Sequence, residues 1–131
     1  MRGPHRHLKR IVRKELRKVI RTVNKKSELY QFSIDNGGSL EERCIDSKRL
    51  EKFLIKKLDP WCFQVENAIE DLQLIQESLL DQAATDPWIK ESCEDDHDKI
   101  GTEIVKLRQL KAEIKATTIY VSDLCGQYYI N

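Results

Sequence analysis

The chain has 131 residues, enough for one domain, with 34% charged and 7% aromatic side chains and a formal net charge of +1. That composition favours long solvated helices over a thick globular core, and no apolar run approaches the roughly 20 residues of a membrane span, so no integral membrane association is expected. The near-neutral total conceals a division: residues 1–26 hold eleven of the 23 Lys and Arg but only one of the 22 acids, Glu15, for a charge of +10, and the other 105 residues carry −9.

Residues 1–26 form the first predicted element. Leu8, Ile11, Val12, Leu16, Val19, Ile20 and Val23 recur at helical spacing and gather on one side of a 3.6-residue helix. Arg10, Arg13, Lys14, Arg17, Lys18, Arg21 and Lys25 take the other side. An ordinary surface helix mixes both signs; this polar face is almost purely cationic, which calls for phosphate, anionic lipid or an acidic protein surface. The segment lacks the continuous apolar stretch of a secretory signal. Its Arg-rich amphipathic character is similar to a mitochondrial presequence, but its Lys content, its lack of Ser and Glu15 argue against that.

Residues 27–46 read as a connecting segment. Tyr30, Phe32 and Ile34 alternate with polar neighbours as in a short strand, but no second strand is available to pair with it, so residues 29–34 read as a loop or a weak edge segment, closed by the turn Asp35-Asn36-Gly37-Gly38. Ser39-Leu40-Glu41-Glu42 has the form of a capping box. A short helix over about 47–58 follows, with Leu50, Phe53, Leu54 and Leu58 on one face.

Phe32, Ile34-Asp35, Glu41, Asp46 and Leu50-Glu51-Lys52-Phe53-Leu54 together resemble the first strand and helix of eukaryotic ribosomal protein L22. The resemblance covers residues 32–54 and implies a ribosome-associated, RNA-binding role. Beyond Leu58 the sequence departs from that family, continuing with acidic heptad helices in place of Gly-rich strands and a Lys-rich helix.

Asp59-Pro60-Trp61 and Asp86-Pro87-Trp88 repeat one tripeptide. Asp suits an N-cap and Pro the first helical position, so each copy predicts a helix start. From Pro60 to about Ala84, Cys62, Val65, Ile69, Leu72, Gln76, Leu79 and Ala83 step by threes and fours, an a/d seam with one polar break at Gln76. Glu66, Glu70, Glu77 and Asp81 make an acidic stripe beside it.

The last helix is expected to start near Pro87 or Asp98 and end at Cys125, with Gly101 as a break and Gly126 as the C-cap. Ile100, Ile104, Leu107, Leu110, Ile114, Thr117, Val121 and Leu124 form its seam. The two seamed helices are each expected to span about 37–40 Å. They would pair as an antiparallel hairpin within residues 47–126, leaving 127–131 as a tail.

No catalytic signature is present: no Gly-rich phosphate loop, no nucleophile elbow, no H-E-x-x-H. Cys93 and His97 share a helical face, yet a structural zinc site needs four ligands and no second pair has suitable spacing, so neither metal nor cofactor is expected. Cys44, Cys62, Cys93 and Cys125 form no C-x-x-C pair and read as reduced thiols of an intracellular protein, nuclear or cytoplasmic. In the expected hairpin Cys62 and Cys125 would lie at one end, close enough for an accidental disulfide.

These readings converge on an all-α, elongated hairpin or bundle of coiled-coil-like heptad helices, preceded by a basic amphipathic helix. The expected function is a non-catalytic interaction subunit of a larger complex. Val65, Ile69, Leu72, Leu79, Ile104, Leu107, Ile114 and Val121 would receive a partner helix in a hetero- or homo-oligomer, and the basic helix would contact nucleic acid or an acidic protein surface. Two other roles suit the same helix: peripheral binding to a membrane surface, or internal docking on the acidic stripe. Removing residues 1–26 is expected to abolish salt-sensitive binding and leave the rest helical.

Overall fold

A computed structural model describes residues 5–37 and 40–127, and only the backbone of residues 33, 34 and 40–45. Three long helices make up the described residues: α1 (Arg6–Asp35), α2 (Leu40–Thr85) and α3 (Lys90–Gly126). The protein is all-α, with no strand among the described residues.

Polar contacts fix the directions. Ser47 donates to the Cys125 carbonyl at 2.7 Å, Lys111 pairs with Glu66 at 2.9 Å, and the Gln76 amide donates to the His97 carbonyl at 3.1 Å. Ascending α2 thus means descending α3, and the two form the antiparallel hairpin that the seams predict. Lys9 meets Glu103 and Asn24 meets Tyr120, so α1 runs parallel to α3 and antiparallel to α2.

The core is one continuous cluster. Val12, Leu16, Val19 and Val23 come from α1, Leu54, Leu58, Val65, Ile69 and Leu72 from α2, and Ile104, Leu107, Leu110, Ile114 and Val121 from α3. Fully burying one such side chain is worth about 1.5–3 kcal/mol, and helices of this kind are held mainly by that burial rather than by propensity. The third helix over the two seams is therefore α1 itself.

Several expectations are corrected. Residues 29–34 continue α1 instead of forming a loop or an edge strand, because the helix satisfies the backbone groups that either would leave without a partner. The turn falls where expected, at Asn36-Gly37, and Gly37 takes φ +82°, a conformation only glycine adopts cheaply. Pro60 sits inside α2, so the short helix over 47–58 and the helix from Pro60 are one helix of 46 residues, about 69 Å long. The second tripeptide does stand before a helix, but Asp86 serves the turn: its carboxylate accepts the Trp88 N–H at 3.0 Å, and the N-cap falls on Ile89. Helix α3 runs through Gly101 without a break, and Gly126 is its last helical residue with no left-handed cap. The Ser39 cap and tail residues 128–131 lie outside the described residues.

Cys62 and Cys125 are not neighbours. Cys125 lies level with Ser47, and Cys62 lies a further 22 Å or so along α2, beside Glu66. An intramolecular disulfide between them is ruled out by that separation.

Candidate nucleic-acid interface

Helix α1 divides as its sequence pattern requires. Val12, Leu16, Val19 and Val23 are buried against the hairpin and Leu8, Ile11 and Ile20 are half-buried, whereas Arg10, Arg13, Lys14, Arg17, Lys18, Arg21 and Lys25 are all exposed. Among the described residues only Arg13 of those seven bases pairs with an acid, Glu113 of α3 at 3.3 Å, a half-exposed pair that contributes little. Arg10 shares a hydrogen bond of 3.2 Å with the His7 ring.

One base behaves differently. Lys9 stands one turn before Val12, on the rim of the apolar side, and its Nζ lies 2.8 Å from Glu103 Oε1 with both side chains largely shielded. At the other end of α1 the Tyr120 hydroxyl donates to Asn24. These contacts clamp α1 onto α3 by its inner edge and leave its outer face free.

The cationic face extends beyond α1. Between α1 and α3, Arg6, Arg10, Arg13 and Arg17 line a groove with Lys106 of α3. Between α1 and α2, Lys18, Arg21 and Lys25 line a second groove with Lys57 of α2. Lys57 also stands 4.5 Å from the centroid of the exposed Phe53 ring, where Lys48, Lys52 and Lys56 border a hollow together with the acids Glu51 and Asp59. Sequence reasoning passed over Lys57 and Lys106, because only the packing register of the three helices brings them beside α1. From Arg6 to Lys25 the strip is about 28 Å long, a little less than one turn of duplex DNA.

The acidic stripe does not cover this face. Glu66 pairs with Lys111 of α3, and that ammonium's hydrogen bond and charge hold its carboxyl below the usual range. Glu70, Glu77 and Asp81 are exposed and pair with no base among the described residues. Glu103 and Glu113, which pair with Lys9 and Arg13 of α1, belong to α3.

The seam residues are accounted for within the chain. Val65, Ile69, Leu72, Ile104, Leu107, Ile114 and Val121 are buried in the core and Leu79 is half-buried near the hairpin tip. They are occupied by one another and by α1, and offer no open groove to a partner.

Among the described residues no group of three or more His, Cys, Asp or Glu side chains is placed to hold a metal ion. Cys93 is buried, and the His97 carbonyl accepts from Gln76. Burial, reinforced by the Glu66 charge, pushes the Cys62 thiol above its ordinary value; burial does the same to Cys125, against the hydrogen bond from Ser47. Among the described residues no helix is long and apolar enough to cross a membrane.

No protein-family model matches the chain, and neither a curated protein nor a solved structure is significantly similar to it. The likeness of residues 32–54 to the ribosomal family therefore gains no support, and its strand is helix here.

Proposed function

We propose that this chain is a non-catalytic helical interaction protein that binds the phosphate backbone of nucleic acid through the outer face of α1. One observation carries the reading. The apolar side of α1 is consumed by the core, while Arg10, Lys14, Arg17, Lys18, Arg21 and Lys25 remain exposed with no acidic partner among the described residues.

That division separates the candidate partners. An amphipathic helix binds a membrane surface by sinking its apolar face into the lipid boundary. Here that face holds Val12 at 0%, Val19 at 2% and Val23 at 1% exposure, so insertion would require dismantling the core. Internal docking on the acidic stripe fails on position, since Glu70, Glu77 and Asp81 do not meet α1 of their own chain. Phosphate along a nucleic-acid strand needs only a row of cations with open approach. Contacts of this kind position the protein without reading sequence.

Neutralising about six phosphates makes log K fall against log salt with a slope near −5 on a duplex. The test is fluorescence anisotropy with labelled duplexes of unrelated sequence, across a salt series. The expected result is similar affinity for each sequence and loss of binding in an Arg10→Glu, Arg17→Glu, Arg21→Glu variant that keeps its helical circular dichroism. Unchanged binding by that variant overturns the proposal, as does preferential binding to vesicles containing phosphatidylserine.

A further inference from the structure

Helix α2 carries an outer face that is left exposed among the described residues. Phe63, Asn67, Glu70, Leu74, Glu77 and Asp81 step by four and three, which places them on one side of α2, away from the buried Val65, Ile69 and Leu72. Phe63 and Leu74 are 64% and 63% exposed. Two large apolar side chains on one exposed helical face, with Glu70 between them and Glu77 and Asp81 beyond, describe a surface made for a helix of opposite charge.

The outer side of α1 has the complementary pattern. Lys14, Lys18, Arg21 and Lys25 step by four, three and four, and Phe32, 66% exposed, follows two turns later. Laid antiparallel on α2, this row sets Lys14 opposite Asp81, Lys18 opposite Glu77, and Lys25 opposite Glu70. The same register puts the Arg21 stem over Leu74 and Phe32 against Phe63. All three charge pairs and both apolar pairs fall in one register, and no like charges oppose each other.

A single molecule cannot make this contact. In its own bundle Arg21 borders a groove with Leu54 and Lys57, about 25 Å along α2 from Leu74. A second copy must supply the α1. We infer that the outer face of α2 from Phe63 to Asp81 is a docking surface for the outer face of α1 of a second copy of this chain. Because α1 is antiparallel to α2 within one chain as well, the two copies point the same way, each displaced by about 25 Å along α2 relative to the last; such a contact is heterologous, and the assembly grows without closing as a two-fold dimer. The contact rests on the exposed cationic face assigned above to nucleic acid, so nucleic acid and a second copy compete for it. Exposed ion pairs dominate the interface, which makes it weak and sensitive to salt.

Sedimentation velocity on the full chain tests this, with a charge swap as the decisive arm. At about 50 mM salt the protein should form species larger than one chain, and these should dissociate at about 500 mM, where screening cuts the range of exposed charges. Lys14→Glu, Lys18→Glu, Lys25→Glu and, separately, Glu70→Lys, Glu77→Lys, Asp81→Lys should each remain a single chain. Mixed, the two variants should associate again, because each then presents what the other lost. All six positions are exposed, and Gln versions of the same sets serve if helicity falls. A wild type that stays a single chain at low salt, or a mixture that fails to associate, overturns the inference. An excess of duplex DNA should dissolve the wild-type assembly; an assembly that persists with its DNA bound also overturns it. The swap needs no nucleic acid, so it stands or falls separately from nucleic-acid binding. The α2 variant should in turn bind duplex DNA at least as well as wild type.

Discussion

Lys9 Nζ lies 2.8 Å from Glu103 Oε1, with 13% and 9% of the two side chains exposed. The pair sits where α1 joins the hairpin, on the rim of the apolar face that the core buries. Its strength comes from shielding, which also makes either partner costly to lose. Glu103→Ala should leave a shielded ammonium uncompensated and lower unfolding free energy by up to about 3 kcal/mol, at the low end for buried pairs because some solvent remains. Replacing both residues, Lys9→Met with Glu103→Leu, should recover most of that loss in urea titrations.

Leu107 is fully buried at the centre of the three-helix contact. Leu107→Ala should cost about 2–5 kcal/mol through lost burial and a residual cavity. Val19→Asp should do more, since it places a charge where α1 meets the core, and should show as lost helicity by circular dichroism. The same reasoning corrects the expectation that residues 1–26 can be removed cleanly: four of their side chains are core, and the truncated chain should be strongly destabilised.

The first turns of α3 pose a test of coupling. A methyl added at Gly101 would come within 3.2 Å of the Gln76 amide nitrogen, the group that donates to the His97 carbonyl. Alanine favours the helix interior over glycine by about 1 kcal/mol. Gly101→Ala alone should therefore gain little, because Gln76 must shift and weaken its hydrogen bond. In a Gln76→Ala background the same change should yield the full gain, and a double-mutant cycle in thermal unfolding reads the difference.

How much of this architecture was legible in the sequence depends on what each pattern encodes. The buried face of α1, from Leu8 to Val23, and the seam from Ile104 to Val121 are read correctly because helical period alone specifies them. Pro60 misled because proline inside a helix costs about 3 kcal/mol, yet Leu54, Leu58, Val65 and Leu72 form one apolar face across it and outweigh that cost. Tyr30, Phe32 and Ile34 alternate too briefly to hold a strand without a partner. The largest gap is register. Nothing in the one-dimensional pattern says that Lys9 meets Glu103 while Glu70 and Glu77 face away, so the sequence could not decide between internal docking and an exposed cationic face.

Thiol chemistry reports on the far end of the bundle. Cys125 is 2% exposed and its thiol is raised above the ordinary value by burial, so it ionises later when folded than when unfolded. The stability linked to this group is fully present below its unfolded value, near 8.5, and is lost as pH rises through the folded one. Alkylation of native Cys125 by iodoacetamide should be slow at neutral pH and speed up only in more alkaline solution than for an unfolded thiol. Mass spectrometry of peptides from native and urea-unfolded protein checks this. Ser47→Ala should move that alkaline loss to higher pH, because the hydrogen bond from the buried Ser47 acts against burial and holds the Cys125 thiol down.

The salt slope of duplex binding tests the central claim most directly, because it counts the cations that meet phosphate. Replacing Arg17 and Arg21 by Gln leaves the buried face of α1 untouched. The log K against log salt plot should become shallower by about 2, close to 0.9 for each cation removed, with helicity unchanged. A slope equal to that of the wild-type protein would contradict it.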